Sequence, residues 1–136
     1  MSPVIEPVDF DRDTGPFFRA AIDGRLIFRF CRACRRGFQV PAQHCRHCGS
    51  ADTEWRDAQG TGTLYTWTTV RQQVHEAYPV PYTVVVVALD EAPHARFVGS
   101  IPGEPQLTAG QPMQVWFQAL APGVVLPNWR QREADQ

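Results

Sequence analysis

Residues 25–30 alternate, with Leu26, Phe28 and Phe30 on one side of an extended chain and Arg25, Ile27 and Arg29 on the other. A period of two marks a strand with one covered face, and this strand runs into Cys31. Phe38 and Val40, just ahead of Pro41, supply a short return strand. Upstream the spacing is different. Thr14 suits a helix N-cap, Pro16 fits the first turn, Phe17, Phe18, Ala20, Ala21 and Ile22 form an apolar surface, and Gly24 ends the helix. A helix of about two turns is marginal in water by itself, so Phe17 and Phe18 are expected to anchor it on its own domain or on a partner. Residues 1–13 are polar, contain proline and read as an extended arm.

Beyond residue 60 the pattern is that of strands. Gly60-Thr61-Gly62 precedes a run of Thr, Tyr, Trp and Val at 63–70, and Pro79-Val80-Pro81 precedes 82–89, whose valines at 84–87 suit a central strand. Further strands are expected at 96–101, at 113–120 after the turns Pro102-Gly103 and Ala109-Gly110, and at 124–127 after Pro122-Gly123. Five strands so spaced predict a small closed or nearly closed barrel, most simply the five-stranded OB-fold. Tyr65 and Trp67, two apart on one strand, are expected to share a face, either in packing or as a ligand platform.

A chain of 136 residues, 43% apolar, is one domain or two very small ones and can build a core without disulfides. No run approaches the ~20 apolar residues of a membrane span, and residues 1–9 lack the regions of a secretory signal. A soluble cytoplasmic protein with no membrane partner is expected. All 13 basic residues are arginine; the absence of lysine excludes a Schiff base and a P-loop. Ser2, Ser50 and Ser100 are the only serines, and none lies in a Gly-x-Ser-x-Gly elbow. His75 with Glu76, or His94 with Asp90 and Glu91, has no accompanying nucleophile, so no catalytic residue is assigned and the chain is not expected to be an enzyme.

The cysteines carry the strongest chemistry. Cys31-x-x-Cys34 and Cys45-x-x-Cys48 are separated by ten residues, with Gly37 after the first pair and Gly49 directly after the second. Each two-residue spacer lets a tight turn aim both sulfurs inward, and a dication offsets the repulsion of four thiolates. A rubredoxin-like zinc ribbon over 25–55 follows, with Zn2+ held by all four cysteines. Four thiolates leave no open position, so the ion is structural. Rubredoxin-type iron uses the same ligands. His44 and His47 flank the second pair and are read as exposed loop residues. Seven arginines between residues 25 and 56 face only Asp52 and Glu54, and the two net negative charges of a zinc tetrathiolate reduce that excess to about three.

Mainly β, with a short N-terminal helix (1–24, including the arm), a zinc ribbon (25–55), an OB-fold barrel (56–130) and a polar tail (131–136), the chain resembles the zinc-ribbon/OB-fold family of acyl-CoA-associated proteins. The residues that carry the resemblance are the Pro16-Phe17-Phe18 helix, Cys31-Arg-Ala-Cys34, Phe38-Gln-Val-Pro41 and Cys45-Arg-His-Cys48-Gly49-Ser50. Gly62-Thr-Leu-Tyr-Thr-Trp67, Pro81-Tyr-Thr-Val-Val and Gly123-Val-Val-Leu-Pro127-Asn-Trp129 continue it through residues 14–130. The resemblance implies a non-catalytic accessory subunit that binds or positions acyl-CoA for a separately encoded thiolase-like enzyme, in acyl transfer, condensation or retro-aldol cleavage, or for a hot-dog hydratase. It also implies lipid metabolism. Under it, Arg35 and Arg36 are candidates for the CoA phosphates, because guanidinium forks match phosphate geometry. The loop from 72 to 81 is the candidate partner-facing segment. The alternative is a single-stranded nucleic-acid-binding module, which a pI near 6.4 and an acidic barrel segment disfavour. Strand edges allow a homodimer or a hetero-oligomer.

Overall fold

The structure, a computed structural model, describes Pro7 and residues 10–38 and 43–133. Val40 and Pro41 of the expected return strand, most of the arm and the last three residues of the tail lie outside them. Helix α1 spans Gly15–Ile22. Thr14 precedes it without capping it: its hydroxyl donates to Asp11 Oδ1 at 2.6 Å instead. At the other end Gly24, at φ +72°, donates to Ala21 O, and Arg25 N donates to Ala20 O across the turn. This pair of bonds is the glycine-dependent helix stop anticipated from the sequence. Phe17 is buried, stacked on Phe97 of the barrel at 5.8 Å, and half-buried Phe18 meets it edge-on at 5.2 Å. The helix therefore docks on its own chain.

The ribbon is a three-stranded antiparallel sheet, β2 (Gly37–Phe38), β1 (Ile27–Cys31) and β3 (Thr53–Asp57), in that order. The polar run Thr-Glu-Trp-Arg-Asp of β3 has no strand pattern of its own, and pairing with β1 along its whole length makes it one. β1 differs from the expected one-sided strand: all five of its residues are buried. Arg29, opposite Trp55, lies with its guanidinium 5.0 Å from that ring and donates to Thr53 Oγ1. Burial, with the like charge of Arg32, pushes the Arg29 pKa down.

The second sheet has the order β6 (Arg96–Pro102), β5 (Tyr82–Leu89), β4 (Thr61–Val70), β7 (Pro112–Ala121), β8 (Val124–Gln131). β5 buries Thr83, Val85, Val87 and Leu89 on one face, so its valine run alternates rather than being covered on both sides. The outer strands β6 and β8 are bridged by hydrogen bonds from the Asn128 side chain. Asn128 Nδ2 donates to Ser100 O and Gln118 Oε1, both at 3.0 Å, while its Oδ1 accepts from the backbone N–H groups of Ser100 and Trp129 at 2.8 Å. The approach is close enough that a Cβ on Gly99 would stand 2.7 Å from Asn128 Oδ1. Inside the barrel, Trp129 packs 6.2 Å from Phe97.

Tyr65 and Trp67 do not share a face. The β4–β5 register shifts between Leu64 and Thr66, leaving Tyr65 as the extra residue of a bulge. Trp67 then lies opposite buried Val85, whereas Tyr65 lies under the Arg96 guanidinium at 4.0 Å on the other side. Both rings remain partly exposed.

Leu26, Ile27, Phe28 and Phe30 of the ribbon side belong to the same hydrophobic cluster as Leu64, Val85, Phe97, Met113 and Trp129 of the barrel. Gly37 sits so close to the barrel that a Cβ there would meet Ala92 Cβ at 2.8 Å and the Phe28 ring at 2.9 Å. Among the described residues, no helix is long and apolar enough to cross a membrane.

Candidate metal centre

The two cysteine pairs sit on matching turns. In the first, Arg35 N donates to Cys31 O at 2.8 Å and Cys31 N to Arg36 O at 2.9 Å; in the second, Gly49 N donates to Cys45 O and Cys45 N to Ser50 O, both at 2.9 Å. Position for position, the counterpart of Gly49 is Arg35. Both are left-handed, at φ +80° and +62°, so a non-glycine residue occupies one of the two turns. Gly37 serves the packing of ribbon on barrel instead.

The turns bring the four Sγ atoms within 4.8 Å of one another, with Cys31–Cys48 and Cys34–Cys45 at 3.6 Å. A tetrahedral ion with sulfurs at ~2.3 Å needs edges of ~3.8 Å, so this donor set fits a single metal ion. The thiols are free rather than disulfide-bonded. Burial and the neighbouring thiols push Cys34 up to about 12. Burial also raises Cys45, but N–H groups from Cys48 and His47 outweigh it and bring that thiol down to about 7. Sulfurs this close ionise at one another's expense, a conflict that a dication removes. His44 and His47 are exposed, as the sequence suggests; His47 meets His94 of the loop after β5 at 4.8 Å, edge to face.

The arginines divide into two sets. Arg25 pairs with Asp57 at 2.6 Å, Arg32 with Asp52 at 2.8 Å, and Arg56 with Glu54 at 2.9 Å while lying 3.6 Å over the Phe30 ring. Arg35, Arg36 and Arg46 are exposed on the cysteine turns and pair with no carboxylate among the described residues. Arg46 is the member that sequence reasoning did not single out; its position inside the second Cys-x-x-Cys is the signal.

The histidine–carboxylate pairs do not assemble. His75 Nδ1 accepts from Ala77 N within its own loop, Asp90 accepts from Thr63 Oγ1, and Glu91 accepts from Gln59 N. Each is engaged in local structure. The loop of residues 71–81 is braced by Gln73, whose amide donates to Tyr78 O at 2.8 Å and accepts from Val80 N at 3.3 Å.

A four-cysteine ribbon sharing one core with an OB barrel defines the class of protein. The family described as the C-terminal OB-fold domain of ChsH2 matches residues 55–118. A solved chain of the Ltp2-ChsH2(DUF35) aldolase is 31% identical, with a TM-score of 0.77, and the alignment covers 92% of this chain and 98% of that one. The chain belongs to the DUF35 family. It is also 33% identical, over 123 residues and 88% of its length, to a probable enoyl-CoA hydratase alpha subunit of Thermomonospora curvata, and spans 38% of that protein. A DUF35 protein of unknown function from Sulfolobus solfataricus, at 14% identity and a TM-score of 0.60 over 76% of this chain and 77% of that one, shares the fold.

Proposed function

We propose that this chain is a non-catalytic accessory subunit that positions acyl-CoA for a separately encoded thiolase-superfamily enzyme, with Zn2+ held structurally by Cys31, Cys34, Cys45 and Cys48. The observation that carries this reading is the match to a chain of the Ltp2-ChsH2(DUF35) aldolase over nearly the whole of both chains. The similarity to part of a probable enoyl-CoA hydratase alpha subunit of Thermomonospora curvata supports a hydratase as the other class of partner. The zinc assignment rests on four closely spaced thiols, with no fifth donor grouped with them among the described residues; four thiolates leave no open position for substrate. The unpaired guanidiniums of Arg35 and Arg36, joined by Arg46, are the groups assigned to the CoA phosphates. Against single-stranded nucleic acid stands the shortage of free cations on the barrel: Arg71 is paired with Glu104, Arg96 covers Tyr65 and Arg132 lies 3.9 Å from Asp90, which leaves Arg130 on β8.

Untagged protein purified from the native cell extract at low salt with nuclease tests the reading. Co-elution of a thiolase-like or hydratase subunit, with one zinc per chain, is expected. Recovery alone or with RNA-processing proteins, together with nucleic-acid affinity that falls steeply with salt, overturns it.

A further inference from the structure

The ribbon order β2-β1-β3 leaves β3 with one side unpaired. Its bonds to β1 fix which backbone groups face that side. Ala58 N donates to Leu26 O at 2.8 Å, and Arg32 N donates to Asp52 O at 3.0 Å. Even-numbered residues of β3 therefore turn their N–H and C=O groups to β1, while Thr53, Trp55 and Asp57 turn theirs outward. Near one end Thr53 N is taken up by Ala51 O, and past the other Gln59 N donates to Glu91 Oε1. Between them, the backbone groups of Trp55 and Asp57 meet no partner among the described residues. Exposed edges are ordinarily blunted by charge. Here the charge is symmetric: in Thr53-Glu54-Trp55-Arg56-Asp57 an acid and a base stand at equal distances on either side of Trp55.

We propose that this edge pairs with the same edge of a second copy of the chain, antiparallel about Trp55, so that two three-stranded ribbons become one six-stranded sheet. In that register the two Trp55 residues exchange both N–H···O=C bonds, and Asp57 N of each copy donates to Thr53 O of the other. Glu54 of each copy then stands opposite Arg56 of the other, at a non-hydrogen-bonded position where facing side chains come closest. No uncompensated charge is enclosed. Within each copy Arg32 holds Asp52 at 2.8 Å and Glu54 at 3.4 Å, and Arg56 holds Glu54 at 2.9 Å, so the group of four is neutral. On the opposite face the two indoles lie side by side, each with its own Arg29 guanidinium 5.0 Å from the ring. The same charges reject other pairings. A slide of two residues sets Glu54 against Glu54 or Arg56 against Arg56, and a parallel in-register pair does both. A slide of one sets an outward-facing residue against an inward-facing one. Strands of five residues bury less than the ~1,200 Å² of a stable specific interface, so the dimer is expected to dissociate on dilution. Neither a partner enzyme nor acyl-CoA is needed for this pairing.

Sedimentation velocity of the full chain between about 5 and about 500 µM reads the association, and the wild type is expected to pass from monomer to dimer across that range. Glu54→Arg sets Arg against Arg at both ends of the paired edge, and Arg56→Glu sets Glu against Glu. Each alone should associate roughly tenfold more weakly or not at all. An equimolar mixture of the two variants restores opposite charges at both positions and should recover the dimer. Hydrogen exchange needs no variant: the Trp55 and Asp57 amides should gain protection with concentration, whereas those of Glu54 and Arg56, already bonded to β1, should not. A wild type that stays monomeric, a dimer that persists in either charge variant, or exchange at Trp55 that ignores concentration overturns the proposal. So does a mixture of the two folded variants that fails to associate.

Discussion

Arg35 and Gly49 occupy equivalent left-handed positions, one on each cysteine turn. A non-glycine residue there carries a cost of roughly 1–2 kcal/mol, which is tolerated where surrounding interactions fix the backbone. The Cys31–Arg35 and Cys31–Arg36 hydrogen bonds provide that restraint, and a metal on Cys31 and Cys34 would add to it. Cys31 is fully buried at the end of β1, so as a ligand its sulfur would link an ion to the central strand of the ribbon. Replacing it by serine in Cys31→Ser should remove the metal and lower the melting temperature, as seen by elemental analysis and thermal unfolding. Full metal content with unchanged melting would contradict the ligand assignment. The clustering of the four thiols is readable from spacing alone, because Cys-x-x-Cys turns are local. Which of the neighbouring arginines are neutralised is only partly so: Glu54 and Arg56 are two apart on β3, but Asp52 and Asp57 reach Arg32 and Arg25 only through the pairing of β1 with β3.

At the scale of elements, closure of the barrel depends on Asn128 rather than on a ladder between β6 and β8. Asn128→Ala leaves the backbone N–H and C=O of Ser100 without their partner in a half-buried seam. Denaturant unfolding should show a loss of about 2–4 kcal/mol, the sum of a few lost hydrogen bonds and the cost of unmatched polar groups. A loss below about 0.5 kcal/mol would mean that water replaces the amide at no cost. The strands themselves are visible in the alternation of β5 and in the turn residues around it. The bulge at Tyr65 is not, since it arises from how β4 must bend to pair with both β5 and β7. β3 escapes for a related reason: its polar sequence becomes a strand only because β1 offers it a free edge.

For the whole molecule, ribbon, helix and barrel share one hydrophobic cluster, with Phe17 reaching Phe97 and Gly37 pressed against Ala92. Losing the metal should therefore weaken the entire fold. With chelator present, calorimetry is expected to show one transition at lower temperature; two separated transitions, with the barrel melting where it did before, would show that the ribbon is energetically independent.

From the sequence alone came every element except β3, the four thiols and the helix with its glycine stop, because periodicity, turn chemistry and Cys-x-x-Cys spacing act over a few residues. The tertiary structure decided what depends on distant segments meeting. It set which faces β4 shows, which arginines keep a free charge, and how one asparagine spans the open seam.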